Sequence, residues 1–302
     1  MKMSNIKFNY SQQHFYLKGK KIEIPKYPLT VTLQITRRCN LHCIYCSESN
    51  FIRDPSLDEI SKMIKNLSGV NRIIISGGEP ILRQDLFSVL DMCKSNFDVV
   101  AMASNAVNID LKIAKRLSKY VNYVDATIDG PRNIHNKIKG SYDKVIRGLW
   151  NLKKAGVEFS IVMVLLKENK EYVPYVAQIA DTLGAKKLKI LSPIPKGRGK
   201  TIISKRLSSI KIRKLFDDLK KKKEIFGWDV RITLTDWENI KEGHALLVHP
   251  NGNVVASPVW SRKSCIEYIG NVMKENIKEI WAKYPYKENH IKKYIEKTLM
   301  VC

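Results

Sequence analysis

The chain has 302 residues, of which 44% are hydrophobic and 27% charged, a balance typical of a folded globular protein. It has no transmembrane segment, because no apolar run approaches about 18 residues, and its N-terminus lacks the apolar centre of a signal peptide. We therefore expect a cytoplasmic protein with reduced thiols, in which clustered cysteines indicate metal or redox chemistry rather than disulfides.

Strands and helices alternate through most of the chain. Residues 1–28 predict an N-terminal hairpin extension with its turn at Lys18–Lys20. The predicted strands that follow are 29–36, 72–76, 97–104, 121–129, 157–166 and 185–191. The predicted helices between them are 57–67, 84–95, 110–120, 141–156 and 171–184.

Such alternation predicts parallel strands joined by right-handed helical crossovers. Six units are too few for a closed eight-stranded barrel, so the fold class is α/β, with a partial (β/α)6 barrel over residues 29–203. In that architecture the functional loops lie at the carboxyl ends of the strands.

The pattern changes after residue 203. A basic, helix-prone stretch (204–224) leads into two apolar runs separated by HPNGN, a strong hairpin signal at residues 249–253. Residues 204–302 therefore predict a basic helix and a small α+β C-terminal appendage.

Positive charge is concentrated in one part of the chain. The net charge is +24, and residues 186–223 contain fifteen Lys or Arg but only two acids. This segment is either a solvated surface or an electropositive surface that attracts an anionic partner. Candidate partners are a phosphorylated metabolite, an acidic peptide, an anionic lipid and nucleic acid.

The loop after the first barrel strand, CNLHCIYC, carries three of the six cysteines: Cys39, Cys43 and Cys46. A structural zinc site takes four ligands, and a cubane iron–sulfur cluster takes one thiolate per iron. Three thiolates leave one iron open to a substrate or cofactor. After the second strand, ISGGEP (75–80) offers Gly77 and Gly78 for close backbone approach.

The C-x3-C-x2-C spacing and the glycine-rich loop resemble the radical S-adenosylmethionine (radical SAM) superfamily. The resemblance implies that Cys39, Cys43 and Cys46 bind one 4Fe-4S cluster, whose open iron chelates S-adenosylmethionine (SAM). One electron then cleaves SAM, and the 5′-deoxyadenosyl radical abstracts a hydrogen atom from the substrate. A reductant protein of flavodoxin or ferredoxin type is the implied electron donor.

The same resemblance implies a set of SAM-binding residues. They are Tyr45 beside the adenine, Gly77, Gly78, Glu79 and Pro80 in the glycine-rich loop, Ser104 and Asn105 near the ribose and methionine, and Thr127, Arg147 and Leu191 at the ribose, carboxylate or adenine. Glu79 is expected at the SAM ammonium group. A packing role is the alternative for Tyr45, Thr127, Arg147 and Leu191.

Residues 126–156 and 191–199 resemble the SPASM/twitch branch of that superfamily, and so does the C-terminal hairpin. The cysteines of that region are mostly absent, however, since Ser257 stands where a hairpin cysteine is expected. Only Cys265 and Cys302 remain in this half, so we expect a degenerate region without a second, auxiliary cluster. Cys265 is predicted to be a catalytic hydrogen-atom donor, with an inert structural thiol as the alternative. Cys93 is expected to be a buried packing residue.

The leading functional hypothesis is a radical SAM enzyme that modifies a peptide, of maturase or epimerase type. The first alternative is an anionic small molecule or lipid headgroup as substrate: a phosphosugar, a nucleotide or a tetrapyrrole carboxylate. The remote alternative is a non-catalytic iron–sulfur protein that binds nucleic acid. Aromatic stacking residues are sparse in the basic segment, so we do not expect a nucleic-acid partner.

Overall fold

The fold is known from a computed structural model, which describes residues 5–19, 23–48, 52–235, 245–256, 268–284, 291 and 299–301. The chain divides into two compact units, each assembled from segments that are distant in sequence. The first unit comprises residues 1–38, 51–102 and 240–298. The second comprises residues 39–50, 103–239 and 299–302.

Strands β1 (Ile6–Asn9) and β2 (His14–Leu17) open the described chain. The barrel elements follow as β3 (Thr30–Gln34), α1 (Leu57–Asn66), β4 (Arg72–Ser76), α2 (Leu86–Asn96), β5 (Val99–Ser104), α3 (Leu111–Leu117), β6 (Tyr123–Thr127), α4 (Arg132–Ile138), α5 (Tyr142–Lys154), β7 (Phe159–Val164), α6 (Val173–Leu183) and β8 (Lys187–Leu191). The later elements are α7 (Ser209–Phe226), β9 (Arg231–Thr235), β10 (Ala245–Val248), β11 (Asn253–Ala256), β12 (Tyr268–Asn271), α8 (Ile277–Ala282) and β13 (Leu299–Val301). Short 3-10 turns lie at Pro80–Leu82, Lys170–Tyr172 and Gly197–Lys205.

The N-terminal hairpin pairs β1 with β2, so its turn lies at residues 10–13. The predicted turn at Lys18–Lys20 is wrong for the described part, since Lys18 and Gly19 come after β2 and Lys20 lies outside the described residues. The reason is aromatic packing: the rings of Phe8 and Phe15 meet edge to face at 5.1 Å. The guanidinium of Arg72 lies over both rings, an arrangement that favours this pairing.

In the first unit, β3, β4 and β5 pair in parallel. Strand β10 pairs in parallel with the other edge of β3, and β11 and β12 continue from it as antiparallel strands. The residues assigned to an appendage therefore extend the barrel sheet in this unit. The division into residues 1–28, 29–203 and 204–302 stays a prediction.

In the second unit, β6, β7, β8 and β9 pair in parallel, and β13 pairs antiparallel with β9. One face of these strands is apolar and fully buried, as at Val124, Ile161 and Leu188, and it packs against α5 and α6. The opposite face is partly exposed at Thr127 and Leu191, near the carboxyl ends of the strands, but buried at Tyr123, Ser160 and Lys187, near their amino ends. Side chains alternate between the two faces, as the pleat of a strand requires.

The α/β fold class, a partial barrel built from parallel strands, is confirmed. Helix α1 begins with a capping box between Ser56 and Glu59, and Asp110, the first residue of the predicted helix 110–120, caps α3. Helix α4 was not predicted, because its seven residues follow directly on Pro131 and blend into the loop before α5. Within the described residues, no helix combines the length and apolar content needed to cross a bilayer.

Arg83 is a buried cation that ties three segments of the first unit together. Its guanidinium donates to the carbonyl oxygens of Ile35 at 2.8 Å and Pro55 at 3.0 Å. It also pairs with Asp85, and this hydrogen-bonded charge lowers the pKa of the Asp85 carboxyl. The Arg83 side chain is only 5% exposed, so its removal leaves these acceptors without their donor.

We predict that Arg83→Met lowers the free energy of unfolding by about 3 kcal/mol, because the buried guanidinium that donates to the Ile35 and Pro55 carbonyls is lost. The matched control is Arg132→Met, which removes an arginine paired with Asp143 at the surface, where its side chain is 66% exposed. That change should cost less than about 1 kcal/mol. Urea unfolding of both variants measures the difference, and equal losses would contradict the assigned role of Arg83.

Candidate functional site

The glycine-rich loop after β4 packs directly on the backbone that leads to the first cysteine. The N–H groups of Gly78 and Glu79 donate to the carbonyl oxygens of Thr36 and Arg38, both at 2.8 Å. A Cβ atom on Gly77 would lie 2.2 Å from the Thr36 oxygen, and one on Gly78 would lie 2.2 Å from the Arg38 oxygen. Both positions therefore require glycine for this contact alone.

The side chains of residues 37 and 38 add further anchors to this segment. Arg38 Nε donates to Asp54 Oδ2 at 2.8 Å, and the Arg37 N–H donates to Asp54 Oδ1. The guanidinium of Arg37 lies 2.8 Å from His249 Nδ1. Because His249 belongs to the predicted C-terminal hairpin, that hairpin helps to position the approach to the cysteine loop within the first unit.

Glu79 is fully buried and caps the 3-10 turn that begins at Pro80. Its carboxylate accepts a hydrogen bond from the Ile81 N–H at 3.2 Å. Pro80, also buried, is suited to the first position of the turn because it needs no N–H partner there. Contact of Glu79 with the SAM ammonium stays a prediction.

The three cysteines lie on a short loop in the second unit. The Cys39 side chain is exposed, and Cys43 and Cys46 are partly buried. The Cys46 N–H donates to the Cys43 carbonyl at 3.2 Å, which closes a tight turn between these two cysteines. Burial raises the pKa of the Cys43 thiol to about 11, although Lys139 opposes this rise.

Asn105 holds the first part of the loop. Its Nδ2 donates to Asn40 Oδ1 at 2.7 Å and approaches Cys39 Sγ at 3.9 Å. Ser104 lies beside it, where its hydroxyl accepts from the Ala106 N–H. Both predicted residues are therefore buried next to the cysteine loop, in the same unit.

Tyr45 anchors the middle of the loop. Its hydroxyl donates to Asp129 Oδ2 at 2.9 Å, and its ring packs against Ile138, Leu166 and Ile202. Burial, followed by the charge of Asp129, raises the pKa of the tyrosine. The geometry accounts for Tyr45 as a structural anchor, and its contact with adenine stays a prediction.

Asp129, at the end of β6, is the centre of a buried polar network. Its Oδ1 accepts from the Val164 N–H at 2.9 Å, and its carbonyl accepts from Asn169 Nδ2. Its own N–H donates to His135 Nδ1, so the proton of neutral His135 lies on Nε2, which donates to the Gly140 carbonyl. Burial raises the pKa of Asp129 and lowers that of His135 to about 4.

The segment after β8 holds the other side of the loop. The Arg198 N–H donates to the Cys46 carbonyl, and Arg198 Nε donates to the Cys43 carbonyl, both at 2.9 Å. Gly197 has a φ of +57°, and a Cβ there would lie 2.6 Å from the Cys46 oxygen. Lys196 pairs with Glu48 at 2.8 Å, just beyond the last cysteine.

The remaining predicted residues are more dispersed. Thr127 and Leu191 lie at the carboxyl ends of β6 and β8, on the face opposite the helices. Arg147 is exposed on α5. Cys93 is fully buried on α2, as predicted, and burial raises its pKa to about 12. Cys265, Ser257 and Cys302 lie outside the described residues, so the hydrogen-atom donor and the absence of an auxiliary cluster stay predictions.

The cysteine loop offers the donor set of an iron–sulfur cluster. Within the described ranges, no three His, Cys, Asp or Glu side chains converge closely enough to hold one ion. In a cubane cluster each thiolate binds a different iron. Cys39, Cys43 and Cys46 supply three such thiolates from one eight-residue stretch of the chain.

Sequence reasoning missed Asp129, His135 and Arg198, which position the loop. The Asp-Gly-Pro that follows β6 was a readable signal for a turn, with the histidine six residues beyond Asp129. The glycines around Arg198 were a similar signal for close backbone packing. Neither pattern predicts that these residues contact the cysteine loop, because the contacts join residues far apart in sequence.

Comparison with known proteins agrees with this geometry. The family model for the Radical SAM superfamily matches residues 33–180. Fe-coproporphyrin III synthase of Methanosarcina barkeri is 27% identical over 197 residues, which is 62% of this chain and 49% of that protein. Mycofactocin maturase MftC of Mycolicibacterium smegmatis is 32% identical over 183 residues, 57% of this chain and 46% of that protein.

The fold also resembles that of Streptococcus suis SuiB bound to the precursor peptide SuiA. The TM-score is 0.72 at 15% identity, over 88% of this chain and 67% of that one. This likeness is one of fold. The chain spans about half the length of the curated relatives it matches, as their 49% and 46% coverage states.

We predict that Arg198→Ala loosens the cysteine loop, because the donor to the Cys43 carbonyl is lost. In the protein reconstituted with iron and sulfide, release of iron to a chelator should be about tenfold faster, the effect expected for loss of one charge-assisted hydrogen bond. Lys200→Ala, a neighbouring exposed cation, is the control and should release iron at the wild-type rate. Equal rates for Arg198→Ala and wild type would show that this arginine does not hold the loop.

Proposed function

This chain belongs to the radical SAM superfamily, and we propose that it binds one 4Fe-4S cluster through Cys39, Cys43 and Cys46 and cleaves SAM reductively. The observation that carries the proposal is the three-cysteine loop, which is anchored along its length by Asn105, Tyr45 and Arg198. When bound, the cluster supplies the electron for SAM cleavage, which yields the radical that abstracts a hydrogen atom from the substrate.

The chain's own residues contribute position and exclusion of water. The glycine-rich loop is pinned to Thr36 and Arg38 by two backbone hydrogen bonds, so Glu79 is presented by a rigid turn. On the other unit, Thr127 and Leu191 lie at the strand ends where barrel enzymes place their sites. We assign Glu79, Thr127 and Leu191, with Ser104 and Asn105, to SAM binding.

We propose a peptide as the substrate, in keeping with a maturase. The support is the fold shared with SuiB, which was solved with its precursor peptide, and the 32% identity to a protein named as a maturase. A reductant protein of flavodoxin or ferredoxin type would supply the electron. Cys265 would then return a hydrogen atom to the peptide radical if the outcome is epimerisation.

A carboxylate-bearing small molecule, such as a tetrapyrrole, is the second candidate. This candidate is supported by the 27% identity to Fe-coproporphyrin III synthase over 197 residues.

The first prediction tests the cluster and SAM cleavage. The wild-type chain, reconstituted without oxygen, should hold about four irons and convert SAM to 5′-deoxyadenosine when reduced. Cys43→Ala should lose both the cluster and this activity, because one iron loses its protein ligand. Cys93→Ala removes a buried thiol outside the loop and should keep both. A reduced wild-type protein with a full cluster that left SAM intact would refute the proposal.

The second prediction separates the two substrate classes. Peptides encoded by short reading frames beside the gene, and Fe-coproporphyrin III, are each incubated with the reduced enzyme and SAM. We expect a mass change, or solvent deuterium at an α-carbon, in a peptide alone, with the deuterium lost in Cys265→Ala. Conversion of the porphyrin instead, with all peptides unchanged, would favour the second candidate.

A further inference from the structure

Helix α7 presents an unusual surface to solvent. Its inner stripe, Ile212, Phe216 and Leu219, is buried. The opposite side exposes two isoleucines, Ile210 at 82% and Ile225 at 75%. At about 100° per residue they lie within about 60° of each other around the helix axis, and about 22 Å apart along it.

Exposed lysines lie between the two isoleucines. Lys214 and Lys221 project from the same side of α7, at angles between those of Ile210 and Ile225. The exposed Asp217 and Asp218 flank this line about 20° to either side. The helix as a whole has seven Lys or Arg against three acids, Asp217, Asp218 and Glu224. A single exposed isoleucine needs no explanation, but two that line up with lysines along about four turns form a definite pattern.

The pattern continues into the segment before α7. Ile203, in the 3-10 turn Gly197–Lys205, is 42% exposed, and Lys200 beside it is exposed. Phe226, at the end of the helix, is 58% exposed. Apolar side chains in a strongly basic segment are therefore repeated over residues 200–226. We call the solvent-facing side of α7, with Ile210, Lys214, Lys221 and Ile225, the α7 face.

We propose that the α7 face docks on an anionic membrane surface. Lysines attract anionic headgroups, and isoleucines on the same line can enter the boundary between headgroups and acyl chains. Because these residues lie along a straight line on the helix, all of them can touch a flat membrane surface at once. Nucleic acid would use the lysines but would gain nothing from exposed isoleucines, and it favours aromatic stacking residues.

This inference goes beyond the proposed function and does not depend on it. It would bring the enzyme to a surface where its substrate or partner is concentrated, while the cysteine loop performs its chemistry independently. The α7 face belongs to one unit of the structure and shares no residue with the cysteine loop. Failure of SAM cleavage and failure of membrane docking are thus separate results.

The test is sedimentation of the full chain with phosphatidylcholine vesicles, with and without phosphatidylglycerol, at low and high salt. Wild type should bind the anionic vesicles at low salt and bind the neutral ones far less. Lys214→Gln/Lys221→Gln should weaken binding about 25-fold, or about fivefold for each lysine. Ile210→Ser/Ile225→Ser should also weaken it several-fold without any change in charge.

The matched control lies on α3, which also exposes an apolar residue beside lysines. Leu111→Ser/Lys112→Gln/Lys115→Gln removes a similar set of side chains there and should bind within about twofold of wild type. Circular dichroism checks that each variant is folded. Because every substituted side chain is exposed, the fold should be unchanged.

Three results would overturn the proposal. The first is no binding of wild type to anionic vesicles beyond that to neutral ones. The second is an equal loss in the α3 control, which would indicate a general effect of charge. The third is binding that depends on the lysines but not on the isoleucines, together with binding of a single-stranded oligonucleotide, which would identify the α7 face as a site for a soluble polyanion.

Discussion

The central constraint on this structure is that the cysteine loop must be held by hydrogen bonds from other segments of the chain. Ten residues with three cysteines have no regular secondary structure, so their backbone must take its hydrogen bonds from elsewhere. The approach to the loop is fixed by Gly78 and Glu79, and the loop itself by Asn105, Tyr45 and Arg198. These contacts hold the backbone that carries Cys39, Cys43 and Cys46 in one arrangement.

The anchors differ in strength and in kind. Each neutral hydrogen bond contributes about 1 kcal/mol, so no single one decides the loop conformation. The contacts at Gly77 and Gly78 are stricter, because a Cβ 2.2 Å from a carbonyl oxygen demands movement of the backbone. The Tyr45–Asp129 bond is buried, where an unsatisfied partner costs more than the bond contributes. Steric constraint therefore fixes the backbone that leads to the cysteine loop, whereas hydrogen bonding of buried polar groups fixes the loop itself.

Much of the fold and of the cysteine loop could be predicted from the sequence. The features that could not be predicted depend on contacts between residues far apart in the chain. Period-2 and helical patterns placed the six barrel strands within about two residues, because local burial sets those periods. The cysteine spacing predicts the cluster loop because its three thiols are close in sequence. The hairpin turn was misplaced because Phe8 and Phe15 pack on each other and under Arg72, which lies far along the chain. Asp129 and Arg198 were missed for the same reason: their partners are 84 and 155 residues away.

The lysines that contribute to the net charge of +24 occupy at least two different structural environments. On β8, Lys187 is buried and Lys189 pairs with Asp125 at 2.7 Å, so these lysines lie within the fold. On α7, Lys214 and Lys221 lie in water, where salt screens them. The basic segment at 186–223 is continuous in sequence, but the fold places Lys187 in the interior and Lys214 and Lys221 on the surface. A single explanation for the charge would therefore combine buried lysines with solvent-exposed ones.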